Sequence, residues 1–404
     1  MINDKKELEE FFCGVKNTAP FVKNIPEFKP TGRYENIEAV TFEGVSYRGE
    51  KTKVFAYVAY PEGACENTPG IVLIHGGAGH AYLPWVKAWC DRGYSVIAPD
   101  TVGHMPTEVN AGETEADVRW KKGLFGVFEE EGYVSAPDND DMASYDENVE
   151  DRWLVHITSQ SMLAFSILAQ SGRADKNKIG VMGISWGAVA ISYQLGYDER
   201  PAFAIPVYGS GYLAESLAWM KDKFAHPKTR EYFLAEERFQ HVKMPILWQC
   251  WNDDHCFSVT SNSKSYIDTV KNNDKTLLSA VDGMGHSHGF AWRRKEPFVF
   301  ADSIVKNGAS LQRFTSLPSL QDPECTYVYD GSISAKIYYI TEKMTYSKHE
   351  KYGLESTFMD QLWRSAPAFA EDGKITAVLP NDVCEYYIEI SNDDGDVVTT
   401  PIIK

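Results

Sequence analysis

Residues 178–193 read KIGVMGISWGAVAISY, and the interpretation of the rest of the chain starts from this stretch. The apolar run at residues 179–182 is typical of a buried strand, and an apolar helix is predicted over residues 188–195. Between them, GISWG at residues 183–187 matches the G-x-S-x-G pattern, in which a strained strand-to-helix turn exposes a serine hydroxyl. The stretch therefore predicts that Ser185 is a nucleophile at the amino end of a helix.

A second glycine-rich turn, HGGAG at residues 75–79, follows an apolar strand predicted at residues 70–74. It does not fit a dinucleotide-binding loop, because Tyr82 stands where that fingerprint needs a third small residue. Beside a nucleophilic serine, the same kind of turn supplies a backbone N–H group to an oxyanion hole. We expect Gly77 or Ala78 to be one oxyanion donor and the N–H group of Trp186 to be the other.

A serine hydroxyl becomes a good nucleophile only when a histidine accepts its proton and a carboxylate orients that histidine. Asp254 lies just past an apolar strand that starts at Pro245, and His286 lies just past a strand that ends at residue 281. We therefore expect that the side chains of Ser185, Asp254 and His286 lie close together, where successive strands end. Their neighbours Asp253 and His288 are the alternatives, and we expect Asp253 to face solvent and His288 to line the mouth of the site.

Strand and helix patterns alternate from residue 70 to about residue 306, which predicts a mostly parallel, doubly wound sheet. Residues 1–35 read as a helix and an arm, and residues 36–311 as the catalytic domain. Insertions rich in aromatic residues interrupt that domain at about residues 101–148 and 208–242. After residue 311 the helical pattern disappears, so residues 312–404 are predicted to form a small β-sandwich domain.

The chain has 404 residues, of which 43% are hydrophobic, and a formal net charge of −17. This acidic balance argues against nucleic acid or an anionic membrane surface as a partner, because both require clustered Lys and Arg. The first residues contain no apolar signal-peptide segment, and no run of about 18 apolar residues occurs. We therefore expect a cytoplasmic protein. Because a mechanism that uses Ser185, His286 and Asp254 needs no metal or organic cofactor, none is expected.

Several stretches resemble bacterial α/β-hydrolases similar to acetyl xylan esterases and cephalosporin-C deacetylases, including relatives with an appended C-terminal β-domain. The resemblance is carried by IGVMGISWGAVAISY, AIPVYGSGYLAES, MPILWQCWNDDHCFSVTSNSKSY and MGHSHGFAW, and it covers most of residues 70–308. It implies the α/β-hydrolase fold, with Ser185 as nucleophile, Asp254 as acid and His286 as base. It leaves the substrate open, because such relatives act on several esters.

These features predict that the protein is a serine carboxylesterase. It would hydrolyse acetyl or other small acyl esters of carbohydrate-like or small-molecule substrates. One alternative is a peptidase resembling the prolyl oligopeptidase group, although the chain lacks the propeller domain that usually gates such enzymes. Another alternative is a catalytically silent binding protein on the same fold. A homo-oligomer is compatible with the sequence, which does not define the oligomeric state.

Overall fold

The computed structural model describes most of the chain. The described residues are 1–110, 125–138, 145–215, 221–254, 256–341, 346–348, 357–359 and 363–404. Parts of both predicted insertions, including Trp120 and Trp219, therefore lie outside the described residues. Among the described residues, no helix combines the length and the apolar character needed to span a membrane.

Strands and helices alternate along the first three quarters of the chain. The strands are β1 (Val22–Asn24), β2 (Ile37–Glu43), β3 (Lys53–Ala59), β4 (Gly70–Ile74), β5 (Ser95–Pro99), β6 (His104–Pro106), β7 (Phe125–Val127), β8 (Ile179–Ile184), β9 (Ala204–Val207), β10 (Leu247–Trp251) and β11 (Leu277–Val281). The helices are α1 (Lys5–Lys16), α2 (Leu83–Asp91), α3 (Trp153–Gln170), α4 (Trp186–Gln194), α5 (Lys221–Ala225), α6 (Pro227–Arg230), α7 (Val259–Val270), α8 (His288–Ala291) and α9 (Glu296–Val305).

The main sheet has nine strands in the order β1-β2-β3-β5-β4-β8-β9-β10-β11. The six strands from β5 to β11 in this order are parallel, and β1, β2 and β3 add an antiparallel edge. Strands β4, β8, β9 and β11 are buried along their whole length, which explains why they read as continuous apolar runs. The predicted α/β fold with a mostly parallel sheet is confirmed.

The order of the strands reverses at β4, because the chain leaves β4 for β5 on one side and returns to β8 on the other. In open α/β sheets, a crevice forms beyond the carboxyl ends of the strands at such a switch point, and ligands bind there. The turn at residues 75–79 follows β4, and Ser185 follows β8. The topology therefore brings the two glycine-containing turns to the same edge of the sheet.

The last part of the chain forms the predicted small β-domain. Its strands are β12 (Arg313–Phe314), β13 (Glu324–Val328), β14 (Ile333–Ile340), β15 (Tyr346–Lys348), β16 (Thr357–Met359), β17 (Arg364–Glu371), β18 (Lys374–Thr376), β19 (Glu385–Asn392) and β20 (Val397–Thr399). Seven of them form one antiparallel sheet in the order β12-β13-β18-β17-β14-β19-β20. This sheet packs beside β11, since the N–H group of Ala280 donates a hydrogen bond to Thr399 Oγ1 at 3.3 Å.

Two local departures from the sequence expectations concern strands. The arm after α1 contains β1, which pairs with β2 and so adds a strand to the main sheet. Residues 327–341 have a strand-like pattern throughout, but β13 ends at Val328 and β14 begins at Ile333. The intervening Asp330-Gly331 supplies turn residues, which are poor strand formers.

Candidate active site

Ser185 occupies a strained turn between β8 and α4. Its backbone has φ 56° and ψ −120°, a left-handed conformation that costs energy for a residue with a side chain. The turn is fixed because the N–H group of Ser185 donates to the carbonyl of Val207 at 2.8 Å. A Cβ atom at Gly183 would collide with the backbone of Gly187, and one at Gly187 with the carbonyl of Ile74. Both glycines are therefore required by close main-chain packing.

The three residues predicted for proton transfer lie within hydrogen-bonding distance of one another. Nε2 of His286 lies 3.0 Å from Oγ of Ser185, and Nδ1 of His286 lies 2.7 Å from Oδ2 of Asp254. A neutral His286 with its proton on Nδ1 would donate to Asp254 and accept from Ser185. The structure thus brings together a hydroxyl, an imidazole and a carboxylate in the order that proton transfer requires.

Asp254 is held by the start of the segment that leads into α7. Its Oδ1 atom accepts hydrogen bonds from the N–H groups of Cys256 at 2.7 Å and Phe257 at 3.1 Å. These two bonds leave Oδ2 for His286. The side chain of Asp253 is exposed, as expected from the sequence.

Two aromatic rings contact the imidazole of His286. The centroid of the Tyr208 ring lies 4.6 Å from that of His286, and the Phe257 centroid lies 6.0 Å away. Tyr208 has φ 65° and donates its hydroxyl proton to the carbonyl of Gly285 at 2.6 Å. Burial and the negative charge of Asp254 raise the pKa of Tyr208 well above its ordinary value, so the hydroxyl remains a donor. Tyr208 thereby fixes the residue that precedes His286.

The turn after β4 is fixed by two histidines. Nε2 of His288 accepts a hydrogen bond from the N–H group of Gly76 at 2.8 Å. His75 bonds the carbonyl of Gly76 through Nδ1 at 2.7 Å, and its Nε2 accepts from the N–H group of Thr101 at 2.9 Å. Burial lowers the pKa of His75 to about 3 and holds that of His288 well below its ordinary value, so both rings stay neutral.

His288 begins α8 and accepts a hydrogen bond from the main chain of the glycine turn, a contact that the sequence did not predict. Its expected place at the mouth of the site stays a prediction. The turn also packs directly against the elbow, since a Cβ atom at Gly76 would lie 2.8 Å from Cβ of Ser185. Ala78 adopts φ 55° in the same turn. Gly77 and Ala78 follow Gly76 in this turn, and Trp186 follows Ser185 at the start of α4, so their role as oxyanion donors stays a prediction.

Aromatic side chains from several parts of the chain surround Trp186. Its ring contacts Trp153 at 5.3 Å and Phe224 at 5.8 Å between centroids. Phe224 belongs to the second predicted insertion, and Phe125 of the first insertion stacks on His80, directly after the glycine turn, at 4.1 Å. The second insertion therefore contributes a ring against the residue after Ser185, and the first contributes a ring against the residue after the glycine turn.

One group of described residues has the composition and spacing of metal ligands. Ligand atoms of Asp254, Cys256 and His286 lie within 4.8 Å of one another. Asp254 and His286 are already within hydrogen-bonding distance of each other, however, and Nε2 of His286 lies 3.0 Å from Oγ of Ser185. These contacts favour a proton relay over a metal site for Asp254 and His286, and the absence of a metal requirement stays a prediction.

Comparison with known proteins agrees with the fold. The sequence matches the model of the dienelactone hydrolase family over residues 54–315. The chain belongs to this family. Membership in the family confirms the predicted resemblance to α/β-hydrolases and the prediction that the protein is a hydrolytic enzyme. No curated protein matches the chain by sequence.

Solved structures with a similar fold include two acetyl xylan esterases. The enzyme from Paenibacillus sp. R4 has a TM-score of 0.51 and 15% identity, over 75% of this chain and 96% of its own. Acetyl xylan esterase 1 from Thermoanaerobacterium sp. JW/SL YS485 has a TM-score of 0.47 and 14% identity, over 75% of this chain and 95% of its own. The similarity to the Paenibacillus enzyme supports the dienelactone hydrolase fold. It carries no information about the substrate of this chain.

Sequence reasoning did not find the functional contacts of His75, Tyr208 and His288. The imidazole of His288 and the N–H group of Gly76 are separated by 212 positions, and the Tyr208–Gly285 bond spans 77 positions. Such contacts leave no local pattern. The one available signal was that a histidine opens the HGGAG turn and two more occur in MGHSHG.

Proposed function

We propose that this member of the dienelactone hydrolase family is a serine carboxylesterase in which Ser185, His286 and Asp254 form the catalytic triad. The observation that carries the proposal is the continuous hydrogen-bonded path from Ser185 Oγ through His286 to Asp254. It lies at the carboxyl edge of the sheet, beside the switch point at β4. The strained backbone of Ser185 adds support, because such strain persists at sites where function requires it.

In this proposal, Nε2 of His286 takes the proton of Ser185 as Oγ attacks the ester carbonyl. Asp254 keeps the proton of His286 on Nδ1 and stabilises the imidazolium that forms. His286 then protonates the leaving alcohol, so that an acyl group remains on Ser185. A water molecule, deprotonated by His286, releases the acid and restores the serine.

The negative oxygen of the tetrahedral intermediate would be bound by main-chain N–H groups. The N–H group of Trp186 is one donor, because the first amides of α4 have no partner within the helix. Gly77 or Ala78 supplies the other donor. His288 and His75, through their bonds to Gly76, would hold that turn in place before the substrate arrives.

We propose acetyl or another small acyl group on a carbohydrate-like or small-molecule alcohol as the substrate. The ring of Trp186, the residue after Ser185, packs against those of Phe224 and Phe257, and all three are buried, so the side chains next to the serine are apolar and suit a small acyl group. The fold likeness to a Paenibacillus enzyme named acetyl xylan esterase makes acetylated saccharides the first substrates to test.

A substrate panel tests the proposal. Hydrolysis of p-nitrophenyl acetate, p-nitrophenyl octanoate, acetylated xylo-oligosaccharides and an aminoacyl-proline arylamide would be compared under the same conditions. We expect turnover of the acetyl esters at a kcat/KM at least tenfold above that of the octanoate. Turnover of the arylamide alone would indicate a peptidase, and turnover of none would indicate a binding protein.

A further inference from the structure

The β-domain contacts the turn that carries Asp254, although every proposed catalytic residue precedes residue 308. Asn252 lies in this turn and is almost fully buried. Its carbonyl accepts a hydrogen bond from Nε1 of Trp363 at 3.1 Å, and its Nδ2 atom donates to the hydroxyl of Tyr387 at 3.1 Å. Trp363 directly precedes β17, and Tyr387 lies on β19. Two side chains of the β-domain therefore fix the residue two positions before Asp254.

The same contacts extend to the turn that carries His286. Nδ2 of Asn252 also donates to Oδ1 of Asp282, the residue directly after β11, at 3.2 Å. Oδ2 of Asp282 accepts from the hydroxyl of Tyr338, a residue of β14, at 3.4 Å. Asn252 thus links the turn that carries the acid to the turn that carries the base, and the β-domain bonds both ends of this link.

Packing makes these bonds rigid. The rings of Tyr338 and Tyr387 stack with centroids 5.1 Å apart and an interplanar angle of 12°, and Trp363 meets Tyr387 edge-on at 4.9 Å. These rings pack in a small apolar cluster that is separate from the main core. The other residues of the cluster are Cys250 of β10, Val259 of α7, Ala280 of β11 and Ile402. The cluster therefore joins the strands that carry the acid and base turns to the β-domain.

We infer that the β-domain is part of the catalytic apparatus and that Trp363 and Tyr387 are positioning residues for Asp254 and His286. They touch neither the substrate nor the reacting atoms, and they act through Asn252 and Asp282. This inference deepens the proposed function and rests on its Ser-His-Asp relay. A shift of a fraction of an ångström in Asp254 would misalign His286, because proton transfer requires close hydrogen-bond geometry.

The strand β19 offers a matched pair of variants. Tyr387→Phe removes the hydroxyl that accepts from Asn252, whereas Tyr386→Phe removes a hydroxyl that donates to the carbonyl of Ser319, inside the β-domain, at 2.8 Å. Both tyrosines are buried, so each change removes one buried hydroxyl from the same strand. Trp363→Phe is the second test variant, because it keeps a ring and removes the donor to Asn252.

In the full-length protein, we expect Tyr387→Phe and Trp363→Phe to lower kcat for p-nitrophenyl acetate by about tenfold, with KM within about twofold of wild type. Tyr386→Phe should leave kcat within about twofold of wild type. Its melting temperature should nevertheless fall by about as much as that of Tyr387→Phe. A kcat for Tyr387→Phe equal to that of wild type, or an equal fall in kcat for Tyr386→Phe, would overturn the inference.

A readout independent of turnover separates this inference from the proposed function. The imidazole N–H proton of a histidine in a short hydrogen bond to a carboxylate gives a proton NMR signal far downfield of the backbone amide signals. We expect Tyr387→Phe to shift or broaden the signal of the His286–Asp254 bond and Tyr386→Phe to leave it unchanged. If wild type hydrolyses no ester but shows this pattern, the esterase proposal fails and the positioning role stands. An unchanged signal in Tyr387→Phe, or no such signal in wild type, contradicts the positioning role.

Discussion

The two sides of the candidate site are held in place by different means. The nucleophile side comprises Ser185 and the turn at residues 75–79. It depends mainly on close main-chain packing at Gly76, Gly183 and Gly187, and His75 and His288 add hydrogen bonds to Gly76. The relay side comprises the turns that carry Asp254 and His286. It is held by side-chain hydrogen bonds from Tyr208 and from Trp363 and Tyr387 of the β-domain.

This difference has a consequence for mutation. On the nucleophile side, replacing a glycine forces backbone atoms apart, because the nearest atoms to a new Cβ are mostly main-chain carbonyls. On the relay side, removing one hydroxyl or N–H group of a supporting side chain removes one hydrogen bond and leaves the backbone conformation unchanged. We therefore expect graded losses of activity on the relay side and abrupt losses on the nucleophile side.

The largest effect should follow from Ser185→Ala. Loss of the hydroxyl removes the group that forms the acyl-enzyme, so turnover of p-nitrophenyl acetate should fall by about 10⁶-fold. The circular dichroism spectrum and melting temperature should match those of wild type, because Ala fits the space of Ser. A variant that retains more than a few per cent of the activity would exclude Ser185 as the nucleophile.

The next effect should follow from Asp254→Asn, with Asp253→Asn as its control. The amide of Asn cannot fix His286 with its proton on Nδ1, so kcat should fall by about 10⁴-fold. Asp253 has an exposed side chain outside the relay, and its replacement should change kcat by less than about tenfold. If the control loses more activity than Asp254→Asn, the assignment of the acid is wrong.

A smaller effect should come from His288, which contacts the nucleophile side from α8. His288→Phe keeps a ring beside Tyr82 but removes the acceptor for the N–H group of Gly76. With the oxyanion turn displaced, kcat should fall by about 10²-fold. His288→Gln places an oxygen near the position of Nε2 and should recover at least about a tenth of the wild-type kcat. Equal activity of the two variants would rule out the hydrogen bond as the cause.

Tyr208→Phe should lower kcat by about tenfold or less, because it removes the bond to Gly285 but keeps the ring against His286. Tyr193→Phe is a suitable control, because it also removes a buried hydroxyl, one that donates to the carbonyl of Tyr232 at 2.7 Å, away from the site. We expect stopped-flow kinetics to show a slower acylation step only in Tyr208→Phe. A slower acylation step in both variants would indicate a general loss of stability.

The smallest effect on turnover should come from His156, which lies in α3 and contacts neither side. Burial lowers the pKa of His156 to about 3, so the folded protein keeps the ring neutral while the unfolded chain binds a proton below about pH 6.5. The stability from this group is therefore complete above pH 6.5 and is lost as the pH falls towards 3.

At pH 5, this linkage should cost wild type about 2 kcal/mol of unfolding free energy relative to pH 8. In His156→Phe that cost should be absent, and the difference can be measured by urea unfolding at the two pH values. The kcat at pH 8 should equal that of wild type. An identical pH dependence of stability in the two proteins would contradict the buried neutral state of His156.

The nucleophile side was largely predictable from the sequence, whereas the relay side was predictable only in part. GISWG and HGGAG are local patterns whose glycines have a direct steric cause, and they identified both turns together with the strands before them. Asp254 and His286 were inferred from their places after apolar strands. The bonds that position them span up to 135 residues, as from Asn252 to Tyr387, and no local pattern encodes such a contact.

The β-domain was also predictable only in part, because its contacts with the acid turn join distant residues. The change from helical to strand-like pattern after residue 311 predicted its class correctly. The sequence of β17 has no clear strand pattern, because Pro367 interrupts a row of small residues. The side chains that reach the acid turn, Trp363 and Tyr387, stand out only once β14, β17 and β19 are aligned.

The central claim is that Ser185 is an activated nucleophile, and covalent labelling tests it most directly. The intact protein would be treated with a fluorophosphonate, digested and mapped by mass spectrometry, with Ser185→Ala as the control. We expect one phosphonate group, on Ser185, and a loss of esterase activity in proportion to the labelling. Labelling of another serine that parallels the loss of activity, or full activity with Ser185 labelled, would contradict the account.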